Sequence, residues 1–111
     1  MKIETIEDNI KKIEEPNYIS IIELIVDAVR TYPLYELNDT EDYFNEIKKL
    51  LNTNDITLPN LKSYIENIGD SDDERTAWIT DSLSSLVEAF ELMQLYKIPF
   101  NEIMSKMESL N

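Results

Sequence analysis

The sequence contains no cysteine and no histidine among its 111 residues. Without cysteine, neither a disulfide nor a thiolate metal site can form. Without histidine, the chain lacks the usual general base and the usual zinc ligand, and no nucleophile–histidine pair is possible. Hydrolases of the Ser–His or Cys–His type are therefore excluded.

Glycine is almost absent as well, with one residue, and there are four prolines. So few turn residues disfavour β-hairpins, and a single glycine cannot build a glycine-rich phosphate loop. Long apolar runs are also missing, both of membrane-spanning length and of the kind that marks a secretory signal. The sequence predicts a single cytoplasmic domain over residues 1–111.

Positive charge is scarce, since ten Lys and Arg residues face 23 Asp and Glu, a net charge of −13. Direct binding to nucleic acid or to an anionic membrane needs basic residues, so both are disfavoured. Three interpretations of the excess negative charge remain: a basic protein partner, divalent cations, or a solvated surface that keeps the protein in solution.

The segment 18–30 has the clearest pattern in the chain. Nine of its thirteen residues are apolar, and the polar ones follow at steps of three, four and three: Ser20, Glu23, Asp27 and Arg30. This spacing is the period of a helix with one narrow polar stripe. A helix that is apolar elsewhere belongs at the centre of a bundle.

Helical periodicity extends over most of the chain and predicts a compact all-α bundle. About five helices are expected, followed by a final segment: approximately 4–14, 18–31, 40–52, 59–68, 72–97 and 99–110. Pro16 is expected to stop the first helix, and Asn17 to cap the second.

The helix 72–97 is the longest, and it carries an apolar seam at steps of four and three, formed by Ile79, Leu83, Leu86, Phe90 and Met93. Trp78, Leu95 and Tyr96 are expected to widen this seam, and Phe100 to point inward from the last segment. Ser71-x-x-Glu74 has the spacing of a capping box at the helix start.

Acidic residues gather before this helix and along its polar side. They form the leading candidate surface for a basic protein partner: Asp70, Asp72, Asp73, Glu74, Asp81, Glu88 and Glu91. The corresponding function is that of an inhibitor, immunity, anti-defence or regulatory protein that occludes its partner. In the connection 32–39, Tyr32, Leu34, Tyr35 and Leu37 either cover a bundle end or contribute to a partner surface.

Glu23 and Asp27 lie one turn apart on the central helix, with Arg30 three residues further. They are either an ion-paired stripe facing solvent or carboxylates aimed into a groove as metal ligands. No cofactor is expected under the first interpretation. Mg²⁺ or Mn²⁺, which prefer oxygen ligands, is expected under the second.

The stretch 81–111 resembles the end of the MazG-like all-α nucleoside triphosphate pyrophosphohydrolases. An Asp lies on a long helix, a break with Ile98 and Pro99 follows, and the last helix ends in Lys106-Met107-Glu108 and Asn111. The resemblance implies helices that bind Mg²⁺ and hydrolyse a nucleotide to its monophosphate and pyrophosphate. The family's metal ligands come from a Glu-Glu-x-x-Glu helix and a later Glu-x-x-Asp helix.

Three of those ligand positions have counterparts in this chain. Asp81 matches the final Asp, and Glu23 and Asp27 match the first and last carboxylates of the other motif. Trp78 and Leu24 stand where the family has Glu. A divergent pyrophosphohydrolase, active or inactive, is therefore the alternative to a binding protein, and a homo-oligomerisation module is the third hypothesis.

Overall fold

Helices make up the regular structure of the residues that the computed structural model describes, which are 2–34, 37–68 and 73–110. These ranges hold no strand and six α-helices: α1 (Ile3–Asn9), α2 (Pro16–Thr31), α3 (Thr40–Leu51), α4 (Leu58–Ile68), α5 (Glu74–Tyr96) and α6 (Phe100–Ser109). The all-α prediction is confirmed, and the final segment forms a sixth helix. None of the described helices combines the length and apolar character needed to cross a bilayer.

The pair α2 and α5 forms the centre of the bundle. Ser82 of α5 donates a hydrogen bond to the Ala28 carbonyl, and Ser85 donates one to Asp27. Later residues of α5 thus meet earlier residues of α2, so the two helices run antiparallel. The other helices pack around this pair, with α4 mainly against α5, and α1 and α6 against α2.

Residues 18–30 lie in the core of the bundle, as their apolar pattern predicts. Six residues of α2 are buried: Ile21, Ile22, Ile25, Val26, Ala28 and Val29. The polar stripe is exposed, which agrees with the first of its two interpretations, a stripe facing solvent. The predicted seam of α5 is also buried, except that Phe90 is only partly covered. The radius of gyration, 13.6 Å, is close to the roughly 13 Å expected of a compact chain of this length.

An edge-to-face row of aromatic rings crosses this core from α2 to α6. Tyr32 packs on Tyr43 with 5.7 Å between ring centroids, and Phe44 packs on Phe100 at 5.2 Å. Tyr43 and Phe44 join the two pairs at 5.4 Å. Edge-to-face pairs add stability beyond their buried area, so the row ties α3 to both ends of the bundle.

The boundary between the first two helices differs from the prediction. The first α-helix ends at Asn9, a short 3₁₀ helix follows at Ile10–Lys12, and Pro16 begins α2 instead of stopping its predecessor. Proline suits the first helical position because its φ is already helical and its missing N–H would be unpaired there anyway. Asn17 therefore lies inside α2 and does not cap it.

Aspartates cap two of the later helices. Asp39 accepts a hydrogen bond from the Glu41 N–H at the start of α3. At the start of α5 the cap is Asp73, which accepts from the Thr76 N–H, and not Ser71 as predicted. Ser71 itself lies outside the described residues. Asp73 thus caps α5 from the position directly before Glu74, the first residue of the helix.

Candidate functional site

A groove lies between the loop after α2 and the first turns of α5. Its volume is about 530 Å³, within the range of ligand-binding clefts. This Trp78 groove is lined by Glu4, Arg30, Tyr32, Pro33, Leu34, Leu37, Asn38 and Trp78. Its residues come from α1, α2, α5 and the connecting loop, so only the folded chain brings them together.

The groove carries an apolar surface that is open to solvent. The Trp78 side chain is 49% exposed and Leu34 is 40% exposed, whereas Tyr32 is buried beside them. Burial is the main cause of the raised pKa of the Tyr32 hydroxyl, with Glu46 raising it further and Arg75 lowering it. Trp78 and Leu34 line the same groove, and both side chains would gain by leaving water.

The sequence interpretation of Trp78 as part of the apolar seam is wrong, and the same holds for Leu95 and Tyr96, which are 69% and 39% exposed. Phe100, expected inward, is 36% exposed. One signal for Trp78 was available: it lies four residues after Glu74 and three before Asp81. Both acidic residues are exposed, and residues three and four apart share a helix face.

The acidic face of α5, defined as Asp81, Glu88 and Glu91, is exposed as predicted. Glu91 lies 4.0 Å from the Lys62 ammonium of α4, and both side chains are half-exposed, so this contact is weak. Glu74 is exposed in the first turn. Asp73 serves as the helix cap, and its carboxylate also accepts a hydrogen bond from the Thr76 hydroxyl at 2.9 Å. Asp70 and Asp72 lie outside the described residues.

The three carboxylates of the metal hypothesis are Glu23, Asp27 and Asp81. Asp27 accepts a hydrogen bond of 3.0 Å from the Ser85 hydroxyl across the α2–α5 interface. Within the described ranges, no group of three or more acidic side chains is placed to hold a metal ion, so these three form no such cluster. Arg30 bonds Glu7 of α1 through two nitrogens, so the predicted charge pairing of the α2 stripe is made with another helix.

A second apolar surface surrounds Phe100 at the opposite end of α5. Two clefts of about 380 and 390 Å³ meet at this ring. Their polar lining carries both signs, with Lys48 and Lys97 as well as Glu41 and Asp55. Both signs of charge also line the Trp78 groove, through Glu4 and Arg30. What distinguishes the Trp78 groove is that an exposed carboxylate lies one helical turn from Trp78 on each side, Glu74 and Asp81.

No protein-family model, curated protein or solved structure matches the chain. The resemblance of residues 81–111 to the pyrophosphohydrolases therefore stays a prediction. The case for a function comes from the chain's own geometry and charge.

Proposed function

We propose that the protein binds a basic protein partner and acts by occluding it, as an inhibitor, immunity or regulatory protein does. The binding surface is the Trp78 groove together with the acidic face of α5. The observation that carries the proposal is the half-exposed Trp78, which stands at a groove between two exposed carboxylates, Glu74 and Asp81.

Long-range attraction would bring the partner to this surface. With a net charge of −13, the protein attracts cationic surfaces and repels anionic ones. Asp81 and Glu88 lie seven residues apart, two turns along one side of α5, and both are exposed. Such a row accelerates association at low salt, because exposed charges are screened beyond about 8 Å at physiological ionic strength.

Short-range contacts would then hold the complex. Tryptophan is enriched among the few residues that dominate binding energy, because it removes a large apolar area from water at small entropic cost. Trp78 and Leu34 supply such an area, and the exposed carboxylates of Glu74 and Asp81, one turn from Trp78 on either side, would supply a polar rim. The two contributions separate kinetically, since rim charges act mainly on association and buried anchors on dissociation.

A charge-reversal experiment tests the proposal. A partner would be captured from cells that express the protein, identified by mass spectrometry and purified. Its association and dissociation rates would then be measured by stopped-flow mixing over a range of salt concentrations. We expect a basic partner whose association rate falls steeply with salt. The double variant Asp81→Lys/Glu88→Lys should slow association about tenfold at low salt, with dissociation changed less.

The matched control is Asp8→Lys/Glu108→Lys, which changes the net charge equally at exposed positions of α1 and α6. Glu7 and Glu91 are unsuitable, because each pairs with a basic residue. If the control slows association as much as the α5 variant, the effect comes from net charge alone. The acidic face of α5 would then be abandoned as the docking surface.

A further inference from the structure

We infer that the Trp78 groove receives a peptide segment of the partner in which an apolar side chain neighbours an arginine or lysine. The apolar side chain would sit against Tyr32, Pro33 and Leu34, and the cation over the Trp78 indole between Glu74 and Asp81. This inference rests on the proposed function and names the chemistry that the surface recognises.

The apolar part of the groove is formed before any partner arrives. In the described part of the loop after α2, the Leu34 N–H donates to the Tyr32 carbonyl at 2.8 Å and the Leu37 N–H donates to the Leu34 carbonyl at 3.0 Å. Tyr32 is fixed by its edge-to-face contact with Tyr43. A side chain entering here would bury the exposed part of Leu34 without first ordering these residues, which favours affinity.

Helix geometry indicates where the cation of the peptide would bind. Glu74 lies one turn before Trp78 and Asp81 one turn after it, so on a helix both lie about 5–6 Å from Trp78 between Cβ atoms. An ammonium or guanidinium over the indole would gain a cation–π contact and two carboxylate neighbours at once. Within the described residues, the one cation–π contact is that of Lys106 over Tyr18, at 5.3 Å, and the indole carries none.

Three of the chain's own cations lie near the groove, and one of them is Lys2, whose ammonium donates to the side-chain oxygen of Asn38 at 3.4 Å. Arg30 lines the groove, but two of its nitrogens donate to Glu7. The charge of Arg75 acts on the Tyr32 hydroxyl. Around the groove, four carboxylates stand against these three cations: Glu4, Glu7, Glu74 and Asp81. The local charge is therefore negative, which favours a cationic occupant and opposes an acidic peptide or a second copy of this chain.

The experiment uses the intrinsic fluorescence of Trp78, the only tryptophan in the chain. The probe is a synthetic peptide of alternating leucine and arginine. Two counterparts carry serine in place of leucine, or glutamate in place of arginine. We expect the leucine–arginine peptide to shift the emission to shorter wavelength, because the indole leaves water. The serine peptide should bind at least about tenfold more weakly, and the glutamate peptide not at all.

Substitutions around the groove test where the peptide binds. Their affinities are measured by calorimetry, because Trp78→Ala removes the fluorescence signal. Trp78→Ala should weaken binding of the leucine–arginine peptide about tenfold or more, and Leu34→Ser severalfold. Arg75→Ala should tighten it severalfold, because it removes a competing cation. Leu95→Ser is the control and should change nothing. Leu95 is the more exposed apolar residue and lies about 25 Å further along the helix.

Two kinds of failure can be told apart. If the peptide binds with an affinity that depends on Asp81 and Glu88 but not on Trp78 or Leu34, the inference is overturned and the proposed acidic surface survives. If neither set of variants changes peptide binding, both fall. Tighter binding of the glutamate peptide than of the leucine–arginine peptide would show that the groove prefers an anionic occupant, and would overturn the inference. A concentration-dependent emission shift without peptide would identify a second copy as the occupant.

Discussion

Tyr43 of α3 and Ser82 of α5 share a hydrogen bond of 2.9 Å between their hydroxyl oxygens, inside the core. Ser82 also donates to the Ala28 carbonyl of α2 at 2.6 Å. A serine hydroxyl has one proton, so with that proton on the carbonyl the Tyr43 hydroxyl must be the donor to Ser82. The chain of bonds Tyr43–Ser82–Ala28 thus connects three helices through groups that are out of contact with water.

Removing the Ser82 hydroxyl should lower the free energy of unfolding more than removing the Tyr43 hydroxyl does. Ser82→Ala leaves a buried tyrosine hydroxyl without its acceptor and should lower the free energy of unfolding by about 1–3 kcal/mol. Tyr43→Phe leaves Ser82 bonded to Ala28 and should cost only about 1 kcal/mol. Urea unfolding of both variants and of the double variant gives the coupling energy. Strict additivity would mean that the two hydroxyls do not interact in solution.

Alkaline pH should destabilise the protein through Tyr43. Burial raises the pKa of its hydroxyl well above the ordinary value. The unfolded chain then releases this proton from about pH 10 upward, whereas the folded protein keeps it. Stability from this group is complete below about pH 10 and is lost as pH rises above it.

Urea unfolding between roughly pH 8 and pH 11 measures this loss. Tyr43→Phe should flatten the decline, and Tyr96→Phe, at an exposed position, should leave it unchanged. Equal slopes for the wild type and Tyr43→Phe would show that Tyr43 ionises freely in the folded state.

Removing the hydroxyl of Thr40 should stabilise the protein, in contrast to removing that of Ser82 or Tyr43. Its hydroxyl is buried and has no hydrogen-bond partner among the described residues. Replacing it with the isosteric valine removes a desolvated polar group, so Thr40→Val should raise the free energy of unfolding by up to about 1 kcal/mol. Thr53 is the control, because its hydroxyl donates to the Asp55 carbonyl at 3.0 Å, and Thr53→Val should be destabilising. Destabilisation of both variants to the same extent would imply a partner for Thr40.

The pyrophosphohydrolase alternative makes a separate prediction. Because Glu23, Asp27 and Asp81 do not form a metal-holding group, we expect no tight Mn²⁺ site and no pyrophosphate release from nucleoside triphosphates. Calorimetric titration with Mn²⁺ and a pyrophosphate assay with Mg²⁺ measure the two properties. Turnover that is abolished by both Glu23→Gln and Asp81→Asn would replace the binding function with the enzymatic one.

The sequence determined the helices and the centre of the fold through periodicity and charge. The steps of three and four in 18–30 identified α2 and its polar stripe, and the seam of α5 identified its partner face. The exposure of Asp81, Glu88 and Glu91 was likewise predictable, since 23 acidic residues in a small chain must lie mostly on its surface. Such patterns are local properties of one helix, so they can be read before any neighbour is known.

The tertiary structure alone decided which apolar residues remain uncovered and which polar groups meet. Trp78 belongs to an apolar pattern on α5 but stays half-exposed, whereas Met93 further along the same helix is buried. The groove beside it and the Tyr43–Ser82–Ala28 chain join residues far apart in sequence. Periodicity reports the side of a helix that a residue occupies. Burial also depends on how far each neighbouring helix reaches along that side, and only the packing of the whole chain fixes this.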